Sequence, residues 1–159
     1  MKLSLLFLFI GFFLVLLQTK LRLGPIVPDL TLILCVYWAL NRPTISAVLG
    51  SFILGYSVDV FSSPLLGVNA FAMSLVFLAA YLSTRYLWVH NPLSSAAVVF
   101  LASWVKVGAL FMVHTVFLAT VGVFKYIFLE ALFAAVLAPA LFFLLKRGQS
   151  YMEEVQSVP

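Results

Sequence analysis

The chain has 159 residues, of which 65% are hydrophobic and 9% charged, with a mean hydropathy of +1.20; an ordinary soluble domain carries about 25% charged residues. A water-soluble core is excluded, because uncharged stretches run to 25 residues, from Val60 to Thr84. The formal net charge of +4 would suggest nucleic acid as the partner of a soluble protein, but here the basic residues stand singly between apolar runs, where their use is to orient the chain in a bilayer.

A hydrocarbon layer takes roughly 20 apolar residues per helical crossing, so the composition predicts an all-α integral membrane protein of about six transmembrane helices in a single domain. The first run, Leu3 to Gln18 behind Lys2, imitates a signal peptide. The residues at its end, Leu16-Leu17-Gln18-Thr19-Lys20, lack a small-x-small cleavage pattern, so it reads as a retained helix. Five further spans are expected at Ile26 to Leu40, Thr44 to Phe61, Pro64 to Leu82, Leu93 to about Val121, and Tyr126 to Leu145. The second is short, covering about 22 Å of a core about 30 Å thick, and must lean on neighbours or thin the bilayer. The fifth is long and contains Lys106, so a tilt, a kink or a break are all open.

Turn chemistry sets the boundaries. Asn41-Arg42-Pro43 joins spans two and three as antiparallel neighbours, and Ser62-Ser63-Pro64 offers a serine cap and a first-turn proline to span four. Basic-residue counting favours a cytoplasmic N-terminus, with Lys2, Arg42, Arg85, Lys146 and Arg147 inside and Lys20, Arg22 and Lys125 outside. Both termini are then inside, residues 146–159 form a short cytoplasmic tail, and Trp38, Tyr86 and Trp88 mark the inner interface and Tyr126 the outer one. Asp29, Asp59 and Glu130 fall toward the outer face.

Span three carries the most informative face. Ala47, Ser51, Gly55 and Asp59 recur every four residues with Gly50 and Ser46 alongside, a strip of small side chains ending in a carboxylate. Such a strip lets helix backbones approach closely. It serves either packing against span two or four, or docking of another protein's helix with Asp59 as a polar anchor. Asp59 itself is either functional, as intramembrane ionisable groups are by default, or simply solvated at the helix end.

Lys106 lies near the middle of span five, where a basic side chain costs about 2.5 to 3.5 kcal/mol. Ser103, Lys106, Leu110 and His114 share one stripe, and Glu130 of the next helix, heading a row with Ala134 and Ala138, is a candidate salt-bridge partner. A snorkelling lysine or an ion pathway are the other readings. His114 has no second ligand at metal spacing, and Cys35 reads as a small buried hydrophobe. Phosphate-loop, zinc-protease, Gly-x-Ser-x-Gly and paired-cysteine patterns are all absent, so no enzyme, metal or cofactor is expected.

Pro28-Asp29-Leu30, then Arg42-Pro43, Gly50 and Gly55 ahead of Asp59, and Pro64-Leu65-Leu66-Gly67-Val68-Asn69-Ala70 together resemble the rod shape-determining protein MreD family of bacteria. The resemblance implies a multi-pass inner-membrane component of the machinery that elongates the lateral cell wall. It implies association with the bitopic protein MreC and, through the complex, with the actin-like MreB, the glycosyltransferase RodA and a class B penicillin-binding transpeptidase. It also implies a six-helix fold shared with the substrate-binding S components of vitamin transporters. On this basis the expected role is a non-catalytic scaffold receiving its partner on helices two to four, through Asp29, Ala47, Gly50, Ser51, Gly55, Asp59, Gly67 and Asn69. The alternative from another class is a small-molecule-binding subunit of an uptake system, with a pocket lined by Trp104, Lys106, His114 and Glu130.

Overall fold

The computed structural model describes residues 2–20, 29–62, 66–86, 92–117 and 127–156, and all the regular structure in them is helical. The helices are α1 (Lys2–Lys20), α2 (Leu30–Asn41), α3 (Ile45–Ser62), α4 (Val68–Tyr86), α5 (Pro92–Phe117) and α6 (Ile127–Gln156).

The shortest helix is the axis of the fold. A helix apolar on every side must be buried on every side, and in α2 all nine residues from Thr31 to Ala39 are buried. The other five form an arc in the order α1, α3, α4, α5, α6, each packed on its neighbour and each touching α2. This resolves the problem of its length: twelve residues reach only about 18 Å, but enclosed by protein they have no lipid thickness to match.

Around the large apolar side chains of α2, the bundle differs from a soluble protein on its outer faces. Its interior is rich in small side chains, with Ala47, Ala70, Ala102, Ala134 and Ala138 buried, while Phe9, Phe52, Leu78, Leu101, Val136 and Phe143 point outward. Small residues inside let helices approach, and large apolar ones outside suit a hydrocarbon solvent. By length and composition alone, two stretches within helices are long and apolar enough to cross a membrane, Ser94–Val113 and Leu129–Ser150; the other four apolar helices are shorter in their described parts.

Several boundaries move from their expected places. Between α2 and α3 the tight turn forms as expected: Arg42 caps α2 by donating its N–H to the Trp38 carbonyl at 2.9 Å, and Thr44 Oγ1 accepts from Ala47 N at 3.3 Å to open α3. Span four starts later than expected. Ser62 is the last residue of α3, not the cap of α4, and α4 begins at Val68 after Gly67, whose φ of 94° a side chain would resist. Ser63 and Pro64 lie outside the described residues. Helix α5 is one unbroken 26-residue helix through Lys106.

Beyond the expected end of the sixth span, α6 continues as a helix through Lys146 and Arg147 to Gln156, with Pro139 inside it. Tyr37 on α2 fixes part of that extension: its hydroxyl donates to Gln149 Oε1 at 2.9 Å, and its ring meets Phe142 edge-on at 5.2 Å. Trp38 is another correction. It is 2% exposed, its ring lying over Gly50, so it belongs to the core and not to an interfacial belt. The side chains of Tyr86, Trp88 and Tyr126 lie outside the described residues.

Candidate functional site

The small-residue strip of α3 is covered by the chain itself. Ala47, Ser51 and Asp59 are each 0% exposed, and Gly50 and Gly55 are buried with them. A methyl group added at Gly50 would stand 2.5 Å from the Trp38 ring, and one at Gly55 would stand 2.6 Å from the Asn69 carbonyl oxygen and 2.7 Å from Ala70 Cα. The contact at Gly55 is backbone on backbone. Ser51 returns its hydroxyl to the Ala47 carbonyl at 2.9 Å and offers nothing outward. Of the two readings of this strip, the geometry displays packing within the chain, with α2 and α4 lying over it.

Asp59 is neither solvated nor an outward anchor. Its carboxylate accepts from Gly67 N (3.0 Å), from Asn69 N (3.0 and 3.1 Å to its two oxygens), from Asn69 Nδ2 (2.8 Å) and from Ala70 N (3.2 Å). The first amides of a helix have no partner within it, and α4 begins behind a glycine that has no side chain to cap them. Asp59 supplies that cap from the neighbouring helix. A carboxylate suits the place, since a helix N-terminus carries roughly half a positive charge and charge-assisted hydrogen bonds contribute about 1.5 to 3 kcal/mol each. Gly67 and Asn69, expected to touch a partner, are donors in this clamp.

The second polar centre joins α2 to α5. Lys106 pairs with Asp29, not with Glu130 as the sequence suggests, and the two side chains are 14% and 17% exposed. Asp29 has two duties, because its Oδ1 also caps α2 by accepting from Leu32 N at 3.1 Å. Beside it, Thr31 donates to Gln18 Oε1 at 3.1 Å, tying α1 to α2. Glu130, half-buried on α6, is close enough to both Asp29 and Lys106 for their charges to act on it, yet makes no ion pair of its own among the described residues.

Of the residues expected to line a ligand pocket, Glu130 and Lys106 lie near one another and Trp104 faces outward. Trp104 is 49% exposed and stacks edge-on with Phe100 at 6.4 Å, Lys106 is held by Asp29, and the His114 side chain lies outside the described residues. Ser103 donates to the Val99 carbonyl at 2.9 Å. Cys35 is buried, with Sγ 3.6 Å from the Met73 carbonyl, as a small core residue should be. Among the described residues no three His, Cys, Asp or Glu side chains gather as metal ligands, and no buried side-chain polar atom lacks a partner. The Asp29 and Lys106 pair is what sequence reasoning missed. The available signal was Asp29 standing just before an apolar run, the position of a helix cap.

Large apolar side chains on the outward faces of the helices suit lipid as the surrounding solvent and point to a class, a helical membrane protein whose buried polar groups tie its own helices together. Within that class the chain belongs to the rod shape-determining protein MreD family, which it matches over residues 1–147, nearly its whole length. Membership makes it a membrane protein that determines rod shape. No curated protein and no solved structure matches it.

Proposed function

We propose that the chain is a non-catalytic scaffold of the bacterial cell-wall elongation complex. It crosses the inner membrane six times with both termini in the cytoplasm, and holds the membrane-spanning helix of a bitopic, MreC-like partner. Through that partner it positions or regulates the peptidoglycan synthases, a RodA-like glycosyltransferase and a class B penicillin-binding transpeptidase, alongside an MreB-like filament. Supporting this reading is one observation above others: the two principal polar centres, Asp59 with the start of α4 and Asp29 with Lys106, are spent on joining the chain's own helices. Groups so engaged hold a shape.

The contact with the partner is proposed for outward faces. Helix α2 is enclosed and the small strip of α3 is covered, so Asp29, Ala47, Gly50, Ser51, Gly55, Asp59, Gly67 and Asn69 act on the partner indirectly, by fixing the frame that meets it. Orientation rests on the basic residues. Exposed Lys146 and Arg147 follow the apolar part of α6, and Arg42 closes α2 on the side that Tyr37 and Gln149 share. Depletion of the chain in a rod-shaped host tests the function: cells should round up and lose uniform width, while rods persisting at normal width after complete loss would refute it.

A further inference from the structure

The middle of α5 carries two features that packing within the chain does not explain. Ser94–Val113 is the stretch of this helix apolar enough to cross a membrane, and Trp104 stands at its centre, 49% exposed. Tryptophan favours the edges of a bilayer, where its indole N–H finds water or headgroup oxygens. Those edges lie about 15 Å away in each direction, half of a layer about 30 Å thick, and acyl tails hold no acceptor. The Trp104 ring packs on Phe100, but its N–H has no acceptor among the described residues. Gly108, one turn further along the same face, is exposed, and a methyl group added there would meet nothing within 4 Å. Gly50 and Gly55 are explained by the Trp38 ring and the α4 backbone that lie on them, whereas Gly108 weakens its helix relative to alanine with no contact inside the chain to require it. A helical side chain lies over the turn before its own Cα, so the Trp104 ring leans back on Phe100 and away from Gly108. Between Trp104 and the outward Met112 there remains a notch of bare backbone.

We propose that the α5 face carrying Trp104 and Gly108 seats the partner's membrane-spanning helix, which crosses α5 at Gly108 and accepts the Trp104 indole N–H on a hydroxyl or amide oxygen. This deepens the scaffold reading and rests on it. Hydrogen-bond complementarity selects the occupant. Lipid offers no oxygen at this depth, and a second copy of the chain in a two-fold pair would set this face against itself, donor against donor. A foreign helix with a small polar residue at its middle satisfies both features at once, since bare backbone admits its close approach and its oxygen takes the N–H.

The test places a photo-crosslinking amino acid at Met112 in the full-length chain in its native membrane, with Phe52 on α3 as the control position, and repeats it in Gly108→Leu and Trp104→Phe backgrounds. The expected result is an adduct at position 112 with one single-span protein, reduced about tenfold or more by Gly108→Leu, which fills the notch. Trp104→Phe keeps the ring and removes the N–H, and should reduce the adduct about threefold to tenfold, as loss of one hydrogen bond between membrane helices does. Gly108→Leu meets nothing inside the chain, so the unfolding temperature of the isolated protein should not fall. Should Gly108→Leu nevertheless fail to accumulate, Trp104→Phe reads the same contact. An adduct insensitive to both changes, lipid adducts alone at position 112, adducts between two copies of the chain, or a partner captured only at Phe52 would each overturn the proposal while leaving the scaffold role standing. Failure of the scaffold role itself is separate: rods that keep their width when the whole chain is lost.

Discussion

Asp59 near the end of α3 and Asn69 in the first turn of α4 are joined through both backbone and side chain: the Asn69 amide N–H reaches both carboxylate oxygens at 3.0 and 3.1 Å, and its Nδ2 donates to Oδ1 at 2.8 Å. The contact folds α3 back onto α4 and lets Gly55 ride against the Asn69 and Ala70 backbone one turn below. A small strip and an acid, placed on one face by four-residue spacing, thus act together as one internal joint.

Replacing Asp59 should damage the fold more than its exposed-looking sequence position suggests. Asp59→Asn keeps one acceptor oxygen and turns an NH2 toward three backbone donors. We expect both Asp59→Asn and Asp59→Ala to lose about 3 to 5 kcal/mol of stability, since they leave buried helix-start amides unmatched. Asn69→Ala, which removes one side-chain donor and keeps the backbone bonds, should lose only about 1 kcal/mol. Thermal unfolding of the detergent-solubilised protein measures all three.

Glycine to alanine substitutions should separate close approach from open space. Gly55→Ala forces a methyl onto the backbone of α4 and should lower stability by about 1 to 3 kcal/mol, as overpacking does. Gly108→Ala meets nothing within 4 Å and should instead raise it by about 0.5 to 1 kcal/mol through helix propensity. Equal effects at the two positions, read by the same unfolding curves, would contradict the joint described for α3 and α4.

A double-mutant cycle tests the pair joining α2 and α5. Lys106→Met leaves the Asp29 carboxylate without its cation, and Asp29→Asn leaves the ammonium without its anion while keeping a cap for α2. Each single change should destabilise, and the double change should cost less than the sum, with a coupling of about 0.5 to 3 kcal/mol. Glu130→Gln in place of Asp29→Asn should give a smaller coupling with Lys106→Met, because Glu130 is not the lysine's partner.

Tyr37→Phe removes the bond to Gln149 and keeps the ring contact with Phe142. Global stability should fall by only about 1 kcal/mol. The C-terminal part of α6 should nevertheless be cut faster in limited proteolysis, because one hydrogen bond holding it to the enclosed helix is lost.

Much of the frame is legible in the sequence, because hydrophobic runs and turn residues act locally. Asn41-Arg42-Pro43 makes the α2 and α3 turn it predicts, and the spacing of Ala47, Ser51, Gly55 and Asp59 does describe one helix face. What spacing leaves open is the identity of whatever covers that face. Foreign helix and own helix satisfy the same small residues, and only the placement of α4 decides between them. Trp38 misleads for a related reason: a tryptophan near a helix end suits an interface, but Gly50 opposite it provides a slot that draws the ring inside. The partner of Lys106 was hidden by distance along the chain. Glu130 is the nearer acid in sequence and on the next helix, whereas Asp29, 77 positions away, arrives beside it only because α2 is central.

The central claim is that this chain holds a second membrane protein in place, and recovery of that protein measures it most directly. Gentle detergent extraction of the full-length chain from its own membrane, followed by affinity purification and mass analysis, should yield a stable complex with one single-span protein carrying a large domain outside the bilayer. Recovery of the chain alone, or in company with a pair of ATPases, would contradict the account.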